Sequence, residues 1–284
     1  MKTEAPGNPA EPSAAEAAGA GDAVEGAAEH LRTRFRFSSD KGRADLNPYV
    51  DRLGEHGSWV LTASDAEAQR GNWRSLIGCG EDAPLLLEIG PGNGFFFRDL
   101  AARFSSAAVL AVEIRFKRVW MTADKARRAG VENFRVIHHH SGYLDLLFAP
   151  GELDAVFVNH PDPWPKERHH KHRLLQPSFA EGLSRFLAPG GEVWIKSDFS
   201  PFGPLARQVF GAEPWQELAY TDDLHGSSTQ LRSRAPEAAR FWCADTQTNY
   251  ERKSRRKGET IMLAGYRLSP PGETDELRRA GAAR

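Results

Sequence analysis

The stretch Asn159-His160-Pro161-Asp162-Pro163-Trp164-Pro165-Lys166 places a carboxylate, an indole and an ammonium group in one short segment. It follows a strand-like apolar run, Leu153 to Val158, and continues into the basic Glu167-Arg168-His169-His170-Lys171-His172-Arg173. Each proline fixes its own φ and pushes the residue before it out of helical conformation. This spacing predicts an extended, stiff loop at a strand end, where binding and catalytic groups concentrate. Three unlike groups on such a loop suit the holding of one planar ligand. A rigid surface connection with a solvated basic tail is the plainer alternative.

A second constellation lies upstream, where the apolar run Pro84 to Ile89 contains Glu88 and leads into Gly90-Pro91-Gly92-Asn93-Gly94. Strand, glycine-rich turn and helix together make an anion or nucleotide site, because glycines let a ligand approach the backbone and the helix start is positive. Glu113, ending the next strand, can accept hydrogen bonds from ribose hydroxyls. NAD and S-adenosylmethionine both fit such a site. The dinucleotide fingerprint needs glycines at i, i+2 and i+5. Here Phe95 stands where the third is wanted, and Glu88 would repel a pyrophosphate. Glu88 suits a methionyl ammonium or a ribose, which favours S-adenosylmethionine. A lone-pair acceptor such as guanine N7 then needs no general base. Asp162 could hold such a ring by its N–H edge and stabilise its developing positive charge, and Trp164 could stack on a base or simply cover the sheet's end.

The elements that must position these groups alternate. Strands are predicted at 84–89, 108–113, 133–138, 153–158 and 192–196, with helices near 95–104, 115–129 and 176–187. Two closing strands are expected at 215–220 and 260–268. The pattern is that of an α/β, doubly wound sheet. Residues 1–30 form an acidic Ala/Gly/Glu-rich tail expected to be disordered, residues 31–83 a basic arm and irregular lead-in, 84–268 the main domain, and 269–284 a flexible tail. The tail holds one lysine against six acids, so the rest of the chain is net basic despite the overall charge of −1. Basic clusters at Arg32–Arg36, Lys166–Arg173 and Arg252–Lys257 point towards a polyanionic partner. Cys79 and Cys243 form no disulfide framework, and no apolar run is long enough to span a bilayer. A cytoplasmic protein with no obligatory protein partner is the expectation.

Several blocks then resemble one family. Glu88-Ile89-Gly90-x-Gly92-x-Gly94, Val112-Glu113-Ile114-Arg115, Pro161-Asp162-Pro163-Trp164-Pro165-Lys166 with His170-Lys171-x-Arg173-Leu174, Lys196-Ser197-Asp198 and Thr248-Asn249-Tyr250-Glu251 are similar, in order, to the bacterial tRNA (guanine-N7-)-methyltransferases. The resemblance implies a mostly parallel seven-stranded sheet of the Rossmann-like class I methyltransferase type. It implies S-adenosylmethionine as donor, bound by Glu88, Gly90, Gly92, Gly94, Glu113 and the position of His140. Asp162 would be the active-site carboxylate, touching donor and guanine. Lys166, Asp198, Thr248, Asn249, Tyr250 and Glu251 would contact the substrate, a guanosine in the tRNA variable loop.

Two positions depart from the family pattern. His140 stands where an Asp or Asn usually meets the adenine end, and His160 replaces a Phe before the Pro-Asp-Pro-Trp block. His160 is flat and of similar size, so it is expected to be a tolerated change. A divergent paralogue with another acceptor, a non-catalytic RNA-binding module and an NAD-linked oxidoreductase are the competing readings. No metal is expected: adjacent residues of the 138–140 histidine run point to opposite faces of a strand, and His169, His170 and His172 sit among cations.

Overall fold

A computed structural model describes residues 47–226 and 239–270. The acidic tail 1–30, the basic arm to residue 46, and residues 271–284 lie outside the described residues, and so do the expectations placed on them.

Eight strands form one sheet in the order β1-β4-β3-β2-β5-β6-β8-β7. They are β1 (Val60–Leu61), β2 (Leu85–Ile89), β3 (Ala108–Glu113), β4 (Phe134–His138), β5 (Leu153–Asn159), β6 (Leu187–Ser197), β7 (Trp215–Thr221) and β8 (Met262–Leu268). All neighbours pair in parallel except β8, which runs antiparallel to both β6 and β7. The expected seven strands are present, and the two-residue β1 is an eighth, added at the β4 edge. A sheet covered on both faces explains why its strands read as continuous apolar runs. Leu85, Leu87 and Ile89 enter one core layer, and Leu86 enters the other.

Nine α-helices complete the described part: α1 (Pro48–Arg52), α2 (Ala63–Glu67), α3 (Trp73–Ile77), α4 (Phe95–Arg103), α5 (Phe116–Arg128), α6 (Leu144–Leu147), α7 (Pro177–Phe186), α8 (Phe202–Phe210) and α9 (Asn249–Arg256). The residues that α4 and α5 bury, among them Phe97, Leu100, Val119 and Ala123, join the layer with Leu86 and Trp194. Those of α6, α7 and α8 join the layer with Leu87 and Ile195. Among the described residues no helix is long and apolar enough to cross a membrane.

The lead-in is more ordered than expected. Besides β1 it contains three short helices and a 3-10 segment, Leu53–Trp59. Trp73 is fully buried and donates its indole N–H to Leu147 O at 2.8 Å. Arg74 reaches Ala83 O at 2.6 Å and Asp154 at 2.9 Å, and Asp154 also accepts from the amide of Leu85, the first residue of β2. These contacts attach the lead-in to the central strands. Trp73→Ala is therefore expected to destabilise the protein by about 3–5 kcal/mol, the usual cost of emptying a buried aromatic site, read as a lowered urea midpoint at unchanged slope. A midpoint matching wild type would show the lead-in to be peripheral.

Candidate active site

Strand parity gathers the polar groups. Leu86 and Glu88, Ala111 and Glu113, Phe157 and Asn159, and Trp194 and Lys196 are successive same-face pairs, because side chains alternate along a strand. The apolar member of each pair belongs to the α4/α5 layer, so the polar members stand on that face at the carboxyl ends of β2, β3, β5 and β6. β2 lies between β3 and β5, which makes this end the point where the chain switches direction across the sheet, the place where open α/β sheets bind ligands.

Glu88 is only 1% exposed. Asn159 Nδ2 donates to its Oε1 at 3.0 Å, while its Oε2 is buried without a partner among the described residues. Burial pushes the carboxyl up to about 8, with the Glu113 charge adding and Asn159 and Lys196 opposing. Glu113, also buried, is raised by desolvation and accepts the Arg115 amide on Oε1 at 2.9 Å. Between them Gly90, Gly92 and Gly94 all have positive φ, at 70°, 58° and 70°. At Gly94 a Cβ would also come within 2.6 Å of Thr122 Cα on α5, so glycine is required there twice over. The turn therefore exposes backbone beside an orphaned, buried carboxylate oxygen, which asks for a hydrogen-bond donor or a cation.

The histidines at the end of β4 and just after it go separate ways. His138 bonds Ile114 O at 2.8 Å and stacks on Phe116. His139 is buried between His140 O and Glu67. His140 Nδ1 accepts the Gly142 amide at 2.9 Å, as an Asp or Asn side chain would at a helix start, which puts the ring proton on Nε2. Burial, then His139, lowers its basicity and favours that neutral form.

The proline-rich loop is non-helical as predicted, but it is not extended throughout. His160 and Trp164, each directly before a proline, have φ of 50° and 41°. Non-glycine residues held there cost about 1–3 kcal/mol each and persist only where their surroundings impose them. His160 is held by its amide on Lys196 O at 2.7 Å, by its ring Nδ1–H on Asp198 at 3.3 Å, and by stacking on Tyr250. Trp164 is held from the other side. Arg173 donates to Pro163 O at 2.9 Å and Trp164 O at 3.3 Å, and the indole packs against His169 and His172. Between these two kinks Asp162 is exposed and has no hydrogen-bond partner among the described residues. Lys166 is exposed at the start of the following 3-10 turn.

α9 closes the site from the far end of the chain. Thr248 and Glu251 form a capping box, each bonding the other's backbone amide. Glu251 has no exposed surface, and its carboxylate also accepts from Lys196 Nζ at 3.3 Å and His225 Nε2 at 2.6 Å. Lys196 is itself buried, donating further to Thr246 O at 2.6 Å and Ala244 O at 3.3 Å. Ser254 on the same helix bonds Asp198 Oδ2. The His160 contact, followed by that of Ser254, holds the Asp198 carboxyl well below the usual range. Thr248 and Glu251 are thus engaged inside the protein, Asp198 is partly exposed but held by His160 and Ser254, and Tyr250 is 50% exposed over His160.

A methyltransferase family model, Methyltransf_4, matches residues 82–264, well over half of the chain. The chain belongs to this family. Among curated proteins, the tRNA (guanine-N(7)-)-methyltransferases of two Streptococcus thermophilus strains are each 28% identical over 222 residues, covering 74% of this chain and 91% of theirs. Among solved structures, the 16S rRNA methyltransferase KamB is 14% identical with a TM-score of 0.48, covering 73% of this chain and 94% of its own.

In this methyltransferase the structure brings Glu88, the glycine turn and Glu113 to one strand-end site, with His140 after β4 and Asp162 after β5. Reading the chain residue by residue missed Asn159, Lys196 and Arg173 as separate contributors. It also undervalued His160, which the structure makes the joint between loop, β6 and α9. The carboxylate of Glu88 yields a test. The unfolded chain ionises this group near its ordinary value of about 4.3, whereas the fold keeps it protonated up to about 8. With a raised folded value, the stability it contributes is fully present below the unfolded value and is lost as pH rises through the folded one. Glu88→Gln should therefore gain at least about 2 kcal/mol on wild type between about pH 5 and about pH 8, measured by urea unfolding without ligand. A constant difference across that range would show that Glu88 is ionised in the fold.

Proposed function

We propose that the chain transfers the methyl group of S-adenosylmethionine to N7 of a guanosine in the variable loop of tRNA. One juxtaposition carries this reading: the orphaned Glu88 oxygen and glycine turn end β2, and Asp162 follows the adjacent β5 on a loop kinked to present it. The relatives named as tRNA (guanine-N(7)-)-methyltransferases support the acceptor.

The residues present fit the donor. Glu88 Oε2 lacks the partner that a methionyl ammonium or a ribose hydroxyl would supply. Glu113 would accept from ribose hydroxyls, the backbone of Gly90 to Gly94 would lie alongside, and His140 would offer its Nε2 proton to the adenine. Such a donor brings a methyl group on a positively charged sulfur. No residue of the chain has to remove a proton, since the guanine N7 lone pair forms the new N–CH₃ bond while the S–CH₃ bond breaks. The ring becomes cationic and sulfur neutral. The protein's contribution is therefore alignment, worth up to roughly 7–11 kcal/mol, and a carboxylate near the developing charge. Asp162 supplies that charge and can take the N–H edge of guanine. Tyr250 and Trp164 present the exposed aromatic surface against which the base can stack, and Lys166 is placed to meet a phosphate. Thr248, Glu251 and Asp198 act through the frame: they hold α9, His160 and the loop in register, while Asn249 and Tyr250 occupy the substrate side.

The deciding experiment supplies purified protein with tritiated methyl donor and unmodified tRNA, followed by nucleoside analysis. Label in 7-methylguanosine is expected from wild type. Asp162→Ala should lose at least about a hundredfold in turnover, by analogy with removal of a charge-stabilising group, and keep tRNA affinity within a few-fold. Label in another nucleoside would remove the proposed acceptor, and near-normal turnover in the variant would remove Asp162 from the chemistry. Lys166→Ala should lower the salt dependence of tRNA binding by about one unit in the log–log slope if the ammonium meets one phosphate. An unchanged slope would remove that contact.

A further inference from the structure

The first residue after the glycine turn, Phe95, is surrounded by cations from three elements. Lys125 Nζ of α5 lies 3.9 Å from its ring centroid, Arg252 Cζ of α9 lies 4.7 Å away, and Arg98 Cζ of α4 lies 5.8 Å away. Counter-charges are short there. Arg98 pairs with Asp99, and Asp124, the acid next to Lys125, pairs with Arg128 at 3.0 Å. Lys125 and Arg252 have neither an ion pair nor a side-chain hydrogen bond among the described residues. Burial lowers the Lys125 ammonium from its ordinary range, and Arg98, Arg128 and Arg252 add to that, with only Asp124 opposing. Like charges this close repel, and the face of Phe95 offsets only part of it. An anion placed among them would complete the set.

We propose that Lys125, Arg252 and Arg98, gathered around Phe95, bind a backbone phosphate of the RNA substrate flanking the target guanosine. The inference rests on the tRNA methyltransferase reading and adds a subsite to it. Position supports it: Phe95 adjoins Gly94 of the glycine turn, and Arg252 lies two residues beyond the exposed Tyr250. Charge continuity selects the ligand. Lys253, Arg255 and Arg256 extend the cluster along α9 as exposed cations, which suits a polymer with repeating phosphates better than a single small carboxylate. Guanidinium groups also match the paired non-bridging oxygens of a phosphodiester.

The test compares wild type, Lys125→Glu, Lys125→Arg and Arg252→Gln. Binding of an unmodified tRNA transcript is measured over a salt series, and S-adenosylmethionine binding by calorimetry on the same preparations. Wild-type methyl transfer to that tRNA is established first. A glutamate at 125 would sit among Arg98, Arg128 and Arg252, so the variant should fold, which its thermal melt checks. Lys125→Glu is expected to weaken tRNA binding about tenfold and to lower the salt slope by about one unit. Arg252→Gln should do the same more mildly, Lys125→Arg should stay within about twofold, and donor affinity should not move. If wild type methylates tRNA and both charge-removing variants bind it with unchanged affinity and slope, the phosphate subsite is overturned while the function stands. If donor affinity falls and tRNA affinity does not, the cations serve the donor's carboxylate, which also overturns it. A wild type that neither binds nor methylates tRNA would remove the underlying reading itself.

Discussion

The burial of the Glu88 carboxylate at the end of the central strand is the constraint on which the site depends. Taking its ionised form out of water is so costly that the fold keeps the carboxyl protonated up to about 8. The fold supplies one hydrogen bond, from Asn159, and leaves the other oxygen unpaired. That arrangement makes sense where a ligand completes it. It also explains the neighbouring glycines, since a ligand can reach so deep a group only if the intervening backbone carries no side chains. The parallel sheet makes this possible. With both faces covered by helices, the strand ends are the natural opening, and the reversal of chain direction around β2 leaves the gap there.

The second half of the site is built on the opposite principle, with strain where the first half has desolvation. Two pre-proline residues in left-handed conformation flank Asp162, and each is held by contacts from outside the loop. His160 is fixed by β6 and α9, and Trp164 by Arg173. The prolines make the loop stiff, and the kinks decide where its carboxylate points. Such a loop loses little freedom on meeting substrate, which is what a reaction relying on alignment requires. The buried Lys196–Glu251–His225 group then ties α9 to β6, so the helix that carries Tyr250 is anchored to the strand that leads into Asp198. Removing one member would leave a charge stranded in the interior, which is why a buried group of this kind is costly to break even where its net contribution to stability is small.

The alternation of strands and helices was legible in the sequence, because doubly covered parallel strands appear as unbroken apolar runs and glycines at alternate positions after a strand mark a turn. α8 was not, since a glycine and a proline, Gly203 and Pro204, stand in its first turn and weaken a helical pattern. The glycine is there because a Cβ would collide with the Tyr220 hydroxyl, a contact visible only in three dimensions. β1 and the short lead-in helices fall below the length at which periodicity speaks. In the candidate site, the placement of Glu88, the glycines, Glu113 and Asp162 at neighbouring strand ends was legible from type and spacing. The His160–Asp198–Ser254 bridge was not, as its members are 38 and 56 residues apart, nor was Asn159, whose reach to Glu88 follows from the β2–β5 register.

The same distinction separates the two kinds of basic cluster. The run Lys166–Arg173 is obvious in sequence, yet part of it is structural: Arg173 holds the loop, and His169 and His172 pack on Trp164. The cluster around Phe95 is invisible in sequence, because its cations come from residues 98, 125 and 252, and two of them, Lys125 and Arg252, have no ion-pair partner among the described residues. Density of charge along a chain therefore says less about binding than the balance of charge in space. Cations that have found backbone carbonyls or aromatic edges are already committed to the fold. Lys125 and Arg252, crowded over a ring with no acid paired to them, retain an electrostatic demand, and they retain it next to the glycine turn and one exposed tyrosine, where a polyanion entering the site would pass.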